Sequence, residues 1–463
     1  MMAPIPVKFP LSSNPARHGH AGDSRLINGY PESLGDEGKG GYMWVPFHGF
    51  DAFSTLTDGG GVRAMLALTD ADLYVVAGRL LFRVDTSGTA TALGGISSDG
   101  MVTMARNRLA PDPQIAIVCD GLYYIIRAGV LTQMADPDLP PPVSVCSLNG
   151  YFCFLLSDGR HFSSELDGED VSALDYAAAG SNPDPGVRNW TRGQDLCIGG
   201  TKSIEFWADQ GLDPYPFART TSVDVGVLAA DSVAPLDQTS AFVAHDGTVR
   251  VLEGYQPQVV SNTAVAKFIA FQTDPTTLRA TSWIERGKHF YALSSSDTTW
   301  VYCHTTKTWS ERESYGLGRW RVSTACAFGN RVVFGNYADG LLYLANRSTQ
   351  DEAGDHMVMT IQPPPVHAFP YRLRHNIAYI DAVPGVGTAD VPSPVVMLDY
   401  SDDGGRVFGA QRHLSLGAEG QSLTTLRANK LGAARSRIYR LRVSDAVERG
   451  LLGMSVDAEK IAV

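Results

Sequence analysis

The stretch Ile115-Ala-Ile-Val-Cys-Asp-Gly-Leu-Tyr-Tyr-Ile-Ile126 decides the fold class of this chain. In it an apolar strand meets an Asp-Gly turn, and a second apolar strand follows directly. Such a pair is a strong signal for a β-hairpin, because the tight turn needs residues that tolerate positive φ. The pattern recurs in Leu73–Ala77 with Leu80–Val84, Tyr151–Leu156 before Ser157-Asp-Gly159, Leu196–Ile198 with Ser203–Trp207, Ala241–Ala244 with Thr248–Leu252, His289–Leu293 with Thr299–Tyr302, and Arg331–Gly335 with Leu341–Leu344.

The spacing of these hairpins indicates the architecture. Their turns recur at roughly 38 to 50 residues, which is typical of β-propeller blades and not of a simple sandwich. Helical periodicity is nearly absent. We therefore predict an all-β protein with a β-propeller of about seven blades at residues 61–347, or six blades if one hairpin belongs elsewhere.

Two further segments flank the predicted propeller. Residues 1–60 are rich in Pro and Gly but carry apolar anchors, so we predict an extended N-terminal arm that lies either on a neighbouring subunit or against its own propeller. A polar and Pro-rich stretch at 348–365 is a predicted linker. Residues 366–463 alternate apolar and polar side chains, which predicts a C-terminal β-sandwich that serves in docking.

Composition excludes several function classes. The 463 residues suit two or three domains, and 47 Gly with 26 Pro suit many short strands and turns. A net charge of −11 makes the chain a poor general binder of nucleic acid. Its six cysteines lack CxxC spacing, which favours buried thiols over disulfides or zinc ligands. No run approaches the ~20 apolar residues of a membrane span, so we expect a soluble protein made in the cytoplasm.

Two motifs resemble chemical sites but favour a structural interpretation. Ser401, Asp403 and Gly405 form a pattern like the Asp-box of sialidase-like propellers, but it occurs once and outside the hairpin repeats, so we predict a structural turn. His18-Gly-His20 is half of a metal site without a third ligand at sensible spacing. No nucleophile, metal-protease or P-loop motif occurs. We therefore predict no catalytic residues, no metal site, no cofactor and no enzymatic activity.

A basic run near the C-terminus is the stronger candidate for a site. It contains no Asp or Glu between its members, which are Arg427, Lys430, Arg435, Arg437, Arg440 and Arg442. Strand phase puts Arg440 and Arg442 on one face, whereas Arg437 falls on the apolar face and has to snorkel or pair. Three alternatives remain for this run. It is a face exposed to solvent, an interface that pairs with carboxylates of another protein, or a contact to DNA in a channel.

Several stretches together resemble the packaged-DNA stabilisation proteins of short-tailed bacteriophages, also called tail accessory or tail hub proteins. The matching stretches, in the family's order, are Arg25-Leu-Ile-Asn-Gly-Tyr-Pro-Glu32, Arg192–Trp207, Ser401-Asp-Asp-Gly-Gly-Arg-Val-Phe-Gly409 and Leu431–Tyr439.

The resemblance implies a structural protein of the virion. It implies a homohexameric hub in the phage tail, assembled in the host cytoplasm, with a portal adaptor ring above, a plug or needle below, and tail fibres or spikes around it. Packaged DNA would be retained mechanically, with only indirect contact, and without insertion into a membrane. The partner interface expected on this basis comprises Arg25, Leu26, Tyr30, Arg427, Lys430, Arg435, Arg440 and Arg442.

Two alternatives remain open from the sequence. One is a sialidase-like propeller that degrades or binds glycan, which would need arginines and carboxylates converging on the propeller axis. The other is a fibre-type receptor adhesin, which would bind cells as an isolated protein.

Overall fold

The computed structural model describes residues 4–16, 18–19, 22–35, 41–180 and 184–461. Within them the chain is mostly β-strand, with an α-helix α1 at Thr263–Ala270 between the fifth and sixth blades. The first strands are β1 (Ile5–Val7), β2 (Asn14–Pro15), β3 (Asp23–Ile27), β4 (Gly29–Ser33), β5 (Tyr42–Pro46) and β6 (Gly49–Gly60).

The described residues next form a ring of seven four-stranded antiparallel blades. Blade 1 has β7 (Val62–Ala67), β8 (Asp72–Ala77), β9 (Leu80–Asp85) and β10 (Ala90–Gly95); blade 2 has β11 (Val102–Arg106), β12 (Ile115–Cys119), β13 (Leu122–Arg127) and β14 (Val130–Met134). Blade 3 has β15 (Pro142–Leu148), β16 (Tyr151–Leu156), β17 (Arg160–Ser164) and β18 (Val171–Ala178); blade 4 has β19 (Gly186–Arg192), β20 (Asp195–Gly200), β21 (Ile204–Asp209) and β22 (Phe217–Val223).

The remaining blades follow the same plan. Blade 5 has β23 (Ala234–Leu236), β24 (Thr239–Val243), β25 (Val249–Glu253) and β26 (Gln256–Val259); blade 6 has β27 (Arg279–Glu285), β28 (Lys288–Ser294), β29 (Thr299–Cys303) and β30 (Thr308–Arg312). Blade 7 has β31 (Val322–Phe328), β32 (Arg331–Asn336) and β33 (Asp339–Asn346), and takes β6 as its outermost strand.

The seven hairpins found in the sequence are the two middle strands of the seven blades. Most residues of these strands are buried and apolar, with polar exceptions such as His161 and Ser163 of β17, because both faces of each blade pack against neighbouring blades. Strand β12, for example, is buried at all five positions. The outermost strands of blades 1–5 escaped the sequence analysis because one side of each meets solvent, which leaves them polar or mixed in pattern.

The chain after the propeller forms a β-sandwich. The strands that follow β33 in the chain are β34 (Asp351–Glu352), β35 (Asp355–His356), β36 (Met359–Gln362), β37 (Val366–His367), β38 (Arg372–Ala382), β39 (Val395–Ser401), β40 (Arg412–Ser415), β41 (Leu426–Ala434), β42 (Ser436–Val443) and β43 (Leu451–Ile461). One sheet has the order β4-β5-β43-β38-β41, with β1 on β43. The other contains β3-β36-β42-β39-β40, while β34 and β35 stay with blade 7.

The N-terminal segment does not form the separate arm predicted for residues 1–60. Strands β1, β4 and β5 complete one sandwich sheet and β3 the other, while β6 closes the propeller. The predicted linker at 348–365 likewise contains β36, an interior strand of the sandwich. These boundaries were wrong because the pairing partners lie more than 300 residues away in several cases, where a local pattern carries no signal.

Strand β3 also joins the two domains. It pairs in parallel with β30 of blade 6 through Ile27 and Glu311, and in antiparallel with β36 of the sandwich. The side chain of Asn28 adds hydrogen bonds to the backbone on both sides, at Glu313 (2.9 Å) and Val358 (3.1 Å). Blade 6 and one sandwich sheet are therefore continuous, and we expect the two domains to move as one body.

Candidate partner-binding surface

A groove of about 340 Å³ lies where strand β3, the loop after blade 6 and the sandwich meet. It brings together Arg25, Arg440 and Arg442, three of the residues that the sequence assigned to a partner interface. The loop contributes Glu313 and Tyr315 to the opposite wall. Residues about 400 positions apart in the chain thus share one surface.

Arg440 and Arg442 owe their positions to a carboxylate on the neighbouring strand. In the β39–β42 register Asp399 is directly opposite Arg440. Asp399 is only 2% exposed and accepts hydrogen bonds from Arg440 (2.9 and 2.8 Å) and from Arg442 Nη2 (2.7 Å). The guanidinium of Arg440 also lies 3.6 Å from the ring centroid of Phe408. Two half-buried arginines share one carboxylate, so this part of the surface keeps a net positive charge. Both arginines line the groove.

Arg437, expected to snorkel or pair, is paired inside the sandwich. Its Nε and Nη2 donate to the carboxylate of Asp402 at 2.7 Å each, and Nη1 donates to the Leu431 carbonyl at 2.6 Å. The guanidinium lies 3.9 Å from the centroid of the Tyr400 ring. Arg437 therefore stabilises the domain and offers no contact to a partner.

The N-terminal side of the groove carries its own ion pair. Arg25 is bonded to the carboxylate of Glu311, which also accepts a 2.6 Å hydrogen bond from Ser13. Burial raises the pKa of the nearby Glu313 carboxyl above its usual range; Arg25 opposes this shift and Glu311 adds to it. The groove therefore carries both signs of charge, with each of its arginines bonded to a carboxylate.

Two of the predicted interface residues are not on the surface. Leu26 belongs to the sandwich core and Tyr30 to a core between the N-terminal segment and blades 6 and 7, where it packs on Phe47 and Phe290. Their predicted role in partner contact was wrong, because apolar anchors of a segment that folds onto its own chain are buried there.

The remaining basic residues are exposed along strand β41 and the turn that follows it. Arg427 and Lys430 lie on β41 and Arg435 lies in the turn to β42, all three with exposed side chains. Their neighbour Arg412 donates to the Lys430 carbonyl at 3.0 Å. We call Arg427, Lys430 and Arg435 the β41 patch.

The acidic turn after β39 holds itself together. Asp403 accepts hydrogen bonds from the Ser401 hydroxyl (2.6 Å) and from the amides of Arg406 and Val407, and the Gly405 amide donates to Ser401 Oγ (2.9 Å). These donors, the Ser401 hydroxyl first, hold the pKa of Asp403 below its usual range. Asp403 Oδ1 and Ser401 Oγ are therefore used within the turn.

Of the histidine pair, His18 is exposed and His20 lies outside the described residues. Over the described part of the chain no group of three or more His, Cys, Asp or Glu side chains is arranged to hold a metal ion. No helix in the same residues has the length and apolar character to cross a bilayer.

Sequence reasoning missed Asp399 and Glu311, which are bonded to the arginines, and Asn28, which links strand β3 to both domains. A signal existed for Asp399, since a carboxylate inside the apolar strand Val395–Tyr400 needs a buried cationic partner. No comparable signal marked Asn28 or Glu311.

Comparison with known families gives two matches in chain order. Residues 19–350 match the family described as bacteriophage P22 Gp10, beta-propeller, and residues 372–459 match bacteriophage P22 Gp10, beta-sandwich. The chain belongs to the P22 Gp10 family. This confirms the resemblance and the fold derived from the sequence, and identifies a phage structural protein of the stabilisation type. Membership in the Gp10 family favours a non-enzymatic role and a place in the virion.

Several solved structures are similar to this chain over about two thirds of its length. The WD40 β-propeller domain of Doa1 is 12% identical and covers 65% of this chain and 98% of its own, with a TM-score of 0.43. A catalytically inactive virginiamycin B lyase from Staphylococcus aureus is 10% identical, with coverages of 64% and 99% and a TM-score of 0.46. The Neurospora crassa Pan2 WD40 domain is 9% identical, with coverages of 64% and 95% and a TM-score of 0.41. No curated protein matches the chain.

Proposed function

We propose that this chain is the tail hub of a short-tailed phage. In this role it assembles as a homohexamer, joins the portal adaptor ring to a plug or needle and to tail fibres or spikes, and helps to retain packaged DNA. The observation that carries the proposal is the match of both domains, in order, to the Gp10 family.

The mechanical properties of the chain suit a hub. Strand β3 makes blade 6 continuous with one sandwich sheet, and Tyr30, Val45 and Phe47 of the N-terminal segment pack in one core with blades 6 and 7. A ring requires heterologous contacts, in which one patch of each subunit meets a different patch of the next. A rigid two-domain subunit transmits load between such patches without internal hinges.

We assign partner contacts to folded surfaces and not to a free arm. The β41 patch and the arginines of the groove are the basic surfaces, and the chain as a whole is acidic at −11. Contacts between copies or with adaptor and fibre proteins would pair these arginines with carboxylates. Packaged DNA would meet the ring only indirectly, since basic surfaces of this size neutralise few phosphates.

Assembly state tests the hub. Size-exclusion chromatography with light scattering and electron microscopy of the full chain, alone and with the phage's portal–adaptor complex, should give sixfold rings that dock on the adaptor. A monomer that also fails to dock would overturn the proposal.

Charge reversal tests the assigned surface separately. Arg427→Glu, Lys430→Glu and Arg435→Glu together should weaken ring formation or docking at least ~10-fold, as expected for the loss of charge-assisted contacts. Arg83→Glu, an exposed arginine of blade 1 paired with Asp72, is the control. If the triple variant forms rings and docks like the unmodified protein, the β41 patch is not part of the interface. That result would not contradict the proposed hub function.

We further propose that the chain has no catalytic activity of its own. A screen of the purified protein with fluorogenic glycosides should give no turnover above buffer. Turnover that follows the protein through purification would favour the glycan-degrading alternative.

A further inference from the structure

The axis of the propeller contains a cavity of about 490 Å³ that is lined by the innermost strands of all seven blades. Each blade has four antiparallel strands, so the innermost strands all begin at the same end of the ring. Arg188 is the third residue of β19 and Arg279 is the first of β27. Asp231 lies in the short 3-10 turn before β23. The three side chains are therefore at one end of the cavity.

Charge is unbalanced at this end. The carboxylate of Asp231 lies 3.6 Å from Arg188 Nη1 and 3.5 Å from Arg279 Nη2, so two guanidiniums share one carboxylate. All three side chains are 21–25% exposed, which leaves them open to the cavity and mostly removed from bulk water. Arg63 adds a third positive charge on the cavity wall.

The guanidiniums are held in place by backbone carbonyls. Arg188 Nη1 donates to Ala230 O at 2.8 Å, and Arg279 Nη2 donates to Arg63 O at 2.6 Å, which links blade 6 to blade 1. Arg63 itself donates from Nη1 to the carbonyls of Gly78 and Ser98 at 2.7 Å each, and from Nη2 to the Gly100 carbonyl, so it contributes mainly its positive charge to the cavity. Arg188 and Arg279 are thus oriented in advance, which lowers the entropy cost of binding a ligand.

We propose that this cavity binds a small oxyanion, of the carboxylate or phosphate class, between Arg188 and Arg279. The inference does not depend on the hub function. Guanidinium groups match the planar geometry of carboxylate and phosphate oxygens, and a cavity with low-dielectric walls and one dominant sign of charge concentrates ions of the opposite sign. Its volume is in the range of small-molecule sites.

The electrostatics of Arg188 favour the approach of an anion. Burial lowers the pKa of Arg188 below its usual range, Arg279 lowers it further, and Asp231 only partly compensates. A bound anion would stabilise both guanidiniums. Cations would be repelled by the same surplus of positive charge.

Titration calorimetry of the full chain tests the site. Inorganic phosphate and citrate are titrated separately into the protein in chloride buffer at constant ionic strength. We expect saturable binding with one anion per chain, and the tighter of the two probes identifies the oxyanion class. Absence of saturable binding for both anions would overturn the proposal, and would mean that the cavity holds water.

Two substitutions with opposite expected effects locate the binding. Arg188→Met removes one guanidinium, keeps Asp231 paired with Arg279, and should weaken binding about 10-fold or more. Asp231→Asn removes the competing carboxylate and should tighten binding several-fold. Arg79→Met, at an exposed surface pair with Asp99, should bind like the unmodified protein.

The Asp231 variant keeps the test decisive if Arg188→Met does not fold. If Asp231→Asn binds the anion with the same affinity as the unmodified protein, the anion binds elsewhere and the proposal is overturned. Equal weakening in the Arg79 variant would do the same, because it would show that binding follows net charge only.

Discussion

The carboxylate of Asp399 decides how the arginine-rich strand of the sandwich is used. It lies in the middle of β39, buried, and each of its oxygens is bonded to at least one guanidinium. Strand phase in the sequence placed Arg440 and Arg442 on one face correctly, but their partner lies on another strand. The sequence left open whether these arginines face solvent, another protein or DNA. In the structure Asp399 partly neutralises their charge within the domain.

Replacement of this carboxylate should destabilise the sandwich. Asp399→Asn leaves two partly buried guanidiniums without their anion, and we expect the free energy of unfolding to fall by about 3 kcal/mol. Urea unfolding followed by circular dichroism measures the change. Asp390→Asn, an exposed carboxylate of the same domain, is the control and should change stability by less than about 0.5 kcal/mol. An equal effect of both variants would show that the pair contributes no stability.

His375 makes the stability of the sandwich depend on pH. Its Nδ1 lies 2.8 Å from Tyr439 Oη. Burial, with a further contribution from Arg437, lowers the pKa of His375 to about 4. Since the unfolded chain has a histidine pKa near 6.5, it binds the proton first on acidification. Stability is therefore complete above about pH 6.5 and falls as the pH drops towards 4.

A comparison of variants isolates the contribution of His375. His375→Asn keeps a polar group beside Tyr439 but cannot take up the proton. Between pH 7 and pH 4.5 it should lose about 2–3 kcal/mol less unfolding free energy than the unmodified protein. His413→Asn, at an exposed position on β40, should lose as much as the unmodified protein. Identical losses in all three proteins would contradict the assignment to His375.

At the scale of elements, the N-terminal strands belong to the C-terminal domain. Strand β1 pairs with β43, and Phe9 just after it packs edge-on against Trp44, with ring centroids 5.1 Å apart. The sequence predicted extended structure and apolar anchors in this segment, which is correct. The sequence did not predict which surface these anchors cover, because a neighbouring subunit and the chain's own domains offer the same kind of apolar surface.

Truncation of one anchor tests this assignment. Phe9→Ala removes a ring that is 3% exposed, and should destabilise the chain by about 3–5 kcal/mol. Phe369→Ala is the matched control, since that ring is 90% exposed in the same domain, and should cost less than about 0.5 kcal/mol. Thermal unfolding at several protein concentrations measures both. A Phe9 variant as stable as the control would mean that the N-terminal strand is dispensable for the fold.

At the scale of the whole molecule, the ring of blades is closed by strands from the two ends of the propeller. Strand β6 pairs with β33 in blade 7, and the chain then enters blade 1. Gly49 begins β6 where the backbone of Asp351 passes so close that a Cβ would lie 2.0 Å from its carbonyl oxygen. Closure therefore requires glycine at this position.

A single methyl group should disturb this closure. Gly49→Ala forces the backbone at Asp351 to shift, and we expect a loss of about 2–3 kcal/mol of stability. Gly453→Ala in the sandwich, where nothing lies within 4 Å of an added Cβ, is the control and should be nearly neutral. Chemical unfolding measures both variants, and amide hydrogen exchange should show the Gly49 effect concentrated in blade 7. Protection of blade 7 unchanged in the variant would contradict the role of Gly49 in closure.

The sequence by itself indicated the inner hairpins and their tight turns, a propeller of about seven blades, the sandwich and the family. These follow from the two-residue period of side chains and from turn residues, which act between positions close in the chain. Tertiary structure alone decided that strands β1, β3, β4 and β5 complete the sandwich, that Asp399 holds Arg440 and Arg442, and that Arg188 and Arg279 face one cavity. Such pairings join strands far apart in sequence, and they are selected by the fit and charge of whole surfaces, which no local pattern records.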